Sequence, residues 1–381
     1  MFSAVLSSFN AWEFITVNKS LTIGQHTAPF PLVLGGMGVR VSASRLAGHV
    51  ARCGGFGTIA AAGIGVNSRH YNGRNLFAAD TLAIKDEIRS ALAIAQGGII
   101  GVNCMAAVSN YEDMVLAACE AGAHYIVSGA GLPMNLPALT SERFPHVALI
   151  PIVSSVRAAE LIVRKWSKTH GRLPDAIVVE DPDTAGGHLG EKLENIGLGQ
   201  YDQYATVREI KACFQKNWNV SVPIIAAGGI WDRADMLHAL EQGADGVQMS
   251  SRFVCTEECD AADAFKQVYL DCKPEDIGLI MSPAGLPGRA IIRNIDAIRQ
   301  GDLADGLKCP SGCLKKCTYK EDRERFCIIR ALDRAQRGDV EKGLVFCGTN
   351  AWKADRITTV QDIFDELFAL KKSEGKLVSN S

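Results

Sequence analysis

The sequence predicts an α/β fold in which eight strand–helix units close into a (β/α)8 barrel. Eight short apolar runs alternate with helical patterns over about 220 residues, the repeat number and span of such a barrel. That alternation implies parallel pairing of the strands. No G-x-G-x-x-G opens a helix with an acid in the expected place, which weakens the doubly wound open sheet as the alternative.

The units follow in order. Residues 1–28 are a polar, weakly patterned lead-in. Residues 31–34 form strand one, which runs into Gly35-Gly36-Met37-Gly38. Leu46 and Val50 mark a helix over 43–53, with Ser42 or Ser44 as its cap and Gly54-Gly55 as its stop. Strand two covers 57–61, residues 64–81 read as a polar loop, and a helix runs over 82–96. Strand three (99–103) ends on Asn103 and precedes a helix over 111–121. Strand four (125–128) opens onto Gly129-Ala130-Gly131, with a short helical stretch after Pro137. Strand five (148–153) precedes an amphipathic helix at 156–168. Strand six (176–180) is the β-branched run Ile177-Val178-Val179, closed by Glu180 and Asp181, with a helix near 204–217. Strand seven (223–227) ends in Gly228-Gly229, a helix spans 233–242, and strand eight (246–249) ends in Ser250-Ser251-Arg252. Gly122 and Gly243 sit in a near-repeat at two helix ends, where a C-cap glycine lets the chain reverse into the next strand. Farther on, 330–338 and 360–370 read as helices and 343–348 as a short strand or turn. Two units result, a barrel over 1–298 and a cysteine-rich extension over 299–381.

Composition narrows the function classes. The 381 residues are 47% hydrophobic and 22% charged with a net charge of −2. Near-neutrality gives no electrostatic reason to expect nucleic acid or an anionic membrane surface. No apolar run reaches bilayer length, and no basic segment followed by an apolar core marks a leader. Most of the twelve cysteines are scattered singly through apolar segments, as small core residues are. A reducing cytoplasm is therefore the expected location.

In a barrel, the loops after the strands meet at one face. Here they bring together Gly36, Met37, Gly38, Asn103, Glu180, Gly186, Gly187, His188, Gly228, Gly229, Ser250 and Ser251. Such a floor, rich in glycine and poor in charge, suits a flat ligand lying against backbone. Amides of Gly228-Gly229 and Ser250-Ser251 occupy the usual phosphate seat, after strands seven and eight. His188 is the one group in the loop after strand six that titrates near neutral pH, and so the candidate catalytic residue. The other seven histidines fall on helices, loops or element ends without partners at ligand spacing and read as structural or exposed.

The motifs PLVLGGMG, GVN, SGAGLP, EDPDTAGGHLG, PIIAAGGI, GADGVQMSSRF and SPAGLPGRAI–RN resemble, in order, those of the nitronate monooxygenases (formerly 2-nitropropane dioxygenases) and the flavin-dependent enoyl-ACP reductase II. The resemblance covers roughly residues 30–295 and implies an FMN-binding TIM barrel. It implies that Gly36 and Met37 lie at the flavin ring and that Asn103 and Glu180 line the cofactor pocket. Gly187 and His188 would flank the reacting edge, and Gly228, Gly229, Ser250 and Ser251 would hold the phosphate. One class of nitronate enzymes uses a histidine on the loop after strand four. That loop here reads SGAGLP, which leaves His188 as the candidate. The implied activity is oxidation of alkyl nitronates with oxygen. The alternatives are NAD(P)H-dependent reduction of an enoyl thioester and a flavin-binding electron-transfer or accessory subunit. Expected partners are a small-molecule or acyl-thioester substrate, with an acyl-carrier protein and a further copy of the chain as candidates.

The extension departs from that pattern. Cys309, Cys313, Cys317 and Cys327 follow C-x3-C-x3-C-x9-C, which supplies four thiolates within nineteen residues. Lys308, Lys315, Lys316, Lys320, Arg323 and Arg325 surround them and would offset thiolate charge. The expectation is a metal centre, a [4Fe–4S] cluster ahead of zinc because no C-x2-C pair is present. The charge run over 320–325 reads as a solvated helix face.

Overall fold

The computed structural model describes residues 19–304, 309, 312–321 and 326–370. Within them, eight parallel strands close into a barrel. They are β1 (Leu32–Leu34), β2 (Phe56–Ala60), β3 (Ile99–Met105), β4 (Tyr125–Gly129), β5 (Ala148–Val153), β6 (Ile177–Glu180), β7 (Ile224–Ala227) and β8 (Gly246–Met249). Each pairs with the next, and Val247, Gln248 and Met249 of β8 close the ring opposite Leu32, Val33 and Leu34 of β1. The helices between and after them are α1 (Ser44–Arg52), α2 (Leu76–Ala95), α3 (Tyr111–Glu120), α4 (Leu136–Thr140), α5 (Val156–His170), α6 (Gln203–Trp218), α7 (Arg233–Glu241) and α8 (Asp263–Leu270).

Both faces of the strands are buried, which is why they read as unbroken apolar runs. Leu32 and Leu34 face outward with Leu46 and Val50 of α1, while Val33 joins Phe56, Val127, Ile150, Val178 and Ile225 inside. Tyr125 fills the interior and shares a 2.7 Å hydrogen bond with the Thr58 hydroxyl. A Cβ on residue 101 would meet the Tyr125 ring at 2.4 Å, so β3 passes it only with glycine there. A hairpin, Leu21–Ile23 with His26–Ala28, lies within the stretch expected to be an unpatterned lead-in. Its Leu21, Ile23 and Ala28 join the same inner cluster. Residues 1–18 of that lead-in lie outside the described residues.

Two helix starts differ from expectation. Neither Ser42 nor Ser44 caps α1. Asp260, from the loop after β8, does so, its carboxylate accepting the amides of Ala43 (2.8 Å), Arg45 (3.1 Å) and Leu46 (3.1 Å). Ser42 Oγ instead accepts the Met37 amide. A cap more than 200 residues away leaves no local signal. Helix α2 begins at Leu76, six residues early, because the Asn75 side chain accepts the Ala78 amide and the helix buries Leu76 and Ala79.

After the barrel, an antiparallel sheet unannounced by the sequence pairs Ile277–Met281 with Pro287–Ile291. The second of these strands also pairs with Gly187–His188 and with Val345–Phe346. Three further helices follow: α9 (Ile295–Ala304), α10 (Ile328–Gln336) and α11 (Val360–Phe368). On α11, Thr359 and Asp362 form a capping box, and Phe368 stacks on Phe30, next to β1, at 4.2 Å. No helix among the described residues is long and apolar enough to cross a membrane.

Candidate active site

The ends of the eight strands surround one cavity of about 830 Å³, the volume of a cofactor-and-substrate site. Every post-strand loop contributes to its wall. Gly36, Met37, Gly38, Asn103, Glu180, Gly187, His188, Gly228, Gly229, Ser250 and Ser251 all line it. Among the walls, backbone comes close where side chains are absent. A Cβ on Gly36 would lie 2.5 Å from Asn103 Cβ, and one on Gly186 would lie 2.4 Å from the Cys347 carbonyl carbon.

One corner presents backbone amides on a glycine floor. Gly228 and Gly229 have φ of +105° and +70°, conformations that glycine adopts without strain. Among the described residues, none accepts a hydrogen bond from the amides of Gly228, Gly229 or Ser250. Residues 348–350 fold back over this corner. The Gly348 amide donates to Ser251 Oγ (2.9 Å), the Thr349 amide to the Thr184 carbonyl (3.0 Å) and Asn350 Nδ2 to the Gly229 carbonyl (2.6 Å). Unsatisfied amides beside a glycine floor fit a phosphorylated flat group such as FMN.

At the other end stands His188. Its Nε2 lies 2.8 Å from Ser282 Oγ, and its ring meets Phe346 edge-on at 5.1 Å. Burial pushes its pKa down to about 4, so the ring is neutral at physiological pH. Glu180 goes the other way. Burial, reinforced by the neighbouring Asp181 charge and offset by Arg289, raises its carboxyl to about 8. Arg289 itself is buried and donates to the carbonyls of Pro182 (3.2 Å) and Ala185, pinning the loop that carries His188. Thr184 Oγ1 donates to Asp181 across the same loop at 2.6 Å.

Sequence reasoning missed Arg289, Ser282, Phe346 and Asn350. The first two stood inside a recognised motif, SPAGLPGRAI, but without their partners nothing distinguished them.

The expected cysteine centre is not shown. Among the described residues, which include Cys309, Cys313, Cys317 and Cys327, no three His, Cys, Asp or Glu side chains converge to hold a metal ion. Backbone contacts tie the described part of that stretch to the loops of the barrel. The Ser109 amide donates to the Cys313 carbonyl, Leu314 bridges Val108, the Lys315 amide donates to Ala107, and the Thr318 amide to Pro283. Cys313, Cys317 and Cys327 all join the main core, and Cys313 also lines a small recess with Leu76, Val108, Met114 and Ile329. Lys315 Nζ lies over the Tyr111 ring and donates to the Ala106 carbonyl. Lys308, Arg323 and Arg325, with most of the charge run over 320–325, lie outside the described residues.

Comparison with known proteins places this architecture. A family model described as nitronate monooxygenase matches residues 19–369. A probable nitronate monooxygenase of Staphylococcus aureus (strain Newman) is 33% identical over 134 residues, 34% of this chain and 36% of the relative. The matched stretch is thus about a third of the length of the curated relatives. FabK from Thermotoga maritima shares the fold at a TM-score of 0.64 and 24% identity, over 90% of this chain and 92% of that one. Nitroalkane oxidase from Streptomyces ansochromogenes does so at 0.65 and 18%, over 90% and 95%.

Proposed function

Because the chain belongs to the nitronate monooxygenase family, we propose that it is an FMN-dependent oxidoreductase that oxidises alkyl nitronates with oxygen. The observation that supports this reading is the cavity itself. A glycine floor joins a corner of unpaired amides to a single neutral histidine. Bound FMN would supply the electron transfer, and the protein supplies orientation and proton handling.

In this reading Gly228, Gly229 and Ser250 hold the phosphate through backbone amides, and residues 348–350 shield that corner from water. Neutral His188 polarises the nitro oxygens through its remaining N–H rather than delivering a full proton. Glu180 is protonated near pH 7 and therefore adds no negative charge beside an anionic nitronate. Arg289 keeps the 182–185 carbonyls in place, and with them the approach to His188.

Reduction of an enoyl thioester with NAD(P)H, with an acyl-carrier protein as partner, is the second reading. One feature favours it: among the described residues, the histidine that lines the cavity follows β6, not β4. Neither reading uses an iron–sulfur or zinc centre; among the described residues no ligand set is assembled.

Two measurements test the proposal. Heat-denatured protein is expected to release a yellow compound that behaves as FMN. Release of FAD, or a colourless supernatant from folded protein, overturns the cofactor. Turnover of an alkyl nitronate with oxygen supports the activity, whereas turnover only of an enoyl thioester with NADH or NADPH replaces it with the second reading.

A further inference from the structure

We infer that Ser282 is a positioning residue whose hydroxyl donates to His188 Nε2, locking the ring in the Nδ1–H tautomer with its N–H presented to the cavity. The consequence for turnover rests on the proposed function. The tautomer does not.

Hydrogen-bond accounting carries the inference. Ser282 sits in the turn between the strands Ile277–Met281 and Pro287–Ile291, and His188 lies on the short strand paired with the second of them. That turn is fixed by the Ser282 amide donating to Leu286 O (3.0 Å) and the Gly285 amide to Ser282 O (2.8 Å). Ser282 is completely buried at 0% exposure and is not part of the cavity wall, so its hydroxyl reaches neither solvent nor a ligand. The Ala284 amide donates to Ser282 Oγ at 3.1 Å. Oγ is thus already an acceptor, and its own hydrogen needs one. Among the described residues, the acceptor in reach is His188 Nε2, at 2.8 Å. A ring protonated at Nε2 would aim its hydrogen at Oγ and leave the buried hydroxyl hydrogen unpaired, with the full desolvation cost of that group.

The other nitrogen is placed to work. His188 lines the cavity, and Nδ1 makes no hydrogen bond to a described residue, nor is it sealed from solvent. Phe346, edge-on against the ring at 67°, opposes the flip that would exchange the two nitrogens. Burial disfavours the doubly protonated ring, so the neutral form persists across the physiological range. His188 is then a fixed donor, with its basic nitrogen turned away from substrate.

The test uses the full chain as purified, labelled with 15N in its imidazoles. A long-range 1H–15N spectrum, with the His188 signal identified by its loss in His188→Gln, reads the tautomer directly. Wild type is expected to show a protonated Nδ1 and a bare Nε2 at neutral pH. Ser282→Ala is expected to move the ring toward the Nε2–H form. It should also lower kcat for a nitronate by about 10-fold with KM little changed, the scale found when a working histidine loses the partner that orients it. Ser282→Thr, which keeps the hydroxyl, should restore both. An Nε2–H ring in wild type overturns the inference, as does a Ser282→Ala protein whose spectrum and rate match wild type. If Ser282→Ala does not fold, the wild-type spectrum still decides. If nitronates are not turned over at all, the proposed function fails while the tautomer is read independently.

Discussion

At residue 188 a histidine with a depressed pKa is a poor proton donor and a steady hydrogen-bond partner. Replacing it with alanine should lower nitronate turnover by ~10²-fold, the usual loss for a group that handles a proton or polarises substrate. Flavin absorbance should be unchanged, because the proposed phosphate corner lies elsewhere in the cavity. Near wild-type turnover with every candidate substrate would make His188 a packing residue. Glu180 supports a second measurement, on stability. An unfolded glutamate ionises near pH 4.3, whereas the folded group holds its proton up to about 8. Between those values the unfolded chain releases a proton that the folded one keeps, so stability falls as pH rises. The contribution is complete below about pH 4 and gone above about pH 8. Glu180→Gln removes the ionisation, so its Tm should exceed that of wild type at about pH 8.5 and converge with it near pH 5. Equal pH dependence in the two proteins would contradict the raised carboxyl.

At the scale of elements, the site depends on loops that meet other loops. Gly229 has a φ of +70° and faces Thr184, whose Oγ1 would lie 3.1 Å from an added Cβ. Gly229→Val would strain the backbone and crowd the phosphate corner. It should lose most of its flavin on gel filtration while keeping the far-UV circular dichroism of the barrel. A variant that retains stoichiometric flavin would move the phosphate elsewhere. The Arg289 clamp on the 182–185 carbonyls and the pairing of Gly187–His188 with Gly288 and Arg289 serve the same end, a histidine loop held from outside the barrel. The small sheet is therefore part of the site rather than an ornament.

Across the whole molecule, the segment after the barrel is joined to it. Residues 348–350 close over the corner formed by Gly229 and Ser251, and α11 packs against α1 and α7. Val360, Ile363, Phe364, Leu367 and Phe368 are all essentially fully buried. At ~1.5–3 kcal/mol each, their loss approaches ~7–15 kcal/mol, the whole stability of an ordinary domain. A chain ending at residue 358 should therefore be insoluble or molten. Soluble, cooperatively melting protein of that length would show that the barrel stands without α11. Charge at this face matters less, since the Arg252–Glu366 pair is partly exposed.

What the sequence determined by itself was whatever short-range pattern encodes. Strands buried on both faces must be apolar runs, so all eight barrel strands were legible to within a few residues. Loops that follow such strands must meet at one face, so the glycines, Asn103, Glu180 and His188 could be gathered before their distances were known. The tertiary structure alone decided what depends on partners far along the chain. Asp260 caps a helix 217 positions before it, counted from Ala43. Ser282 finds His188 across 94 positions, and Asn350 finds Gly229 across 121. The four clustered cysteines mark the same boundary from the other side. Proximity in sequence suggested a metal centre, yet among the described residues no ligand set is assembled there, and Cys313, Cys317 and Cys327 pack within the hydrophobic core. A hydrogen bond or a ligand set is a fact about distance in space, and sequence spacing reports distance only where one element carries all the partners.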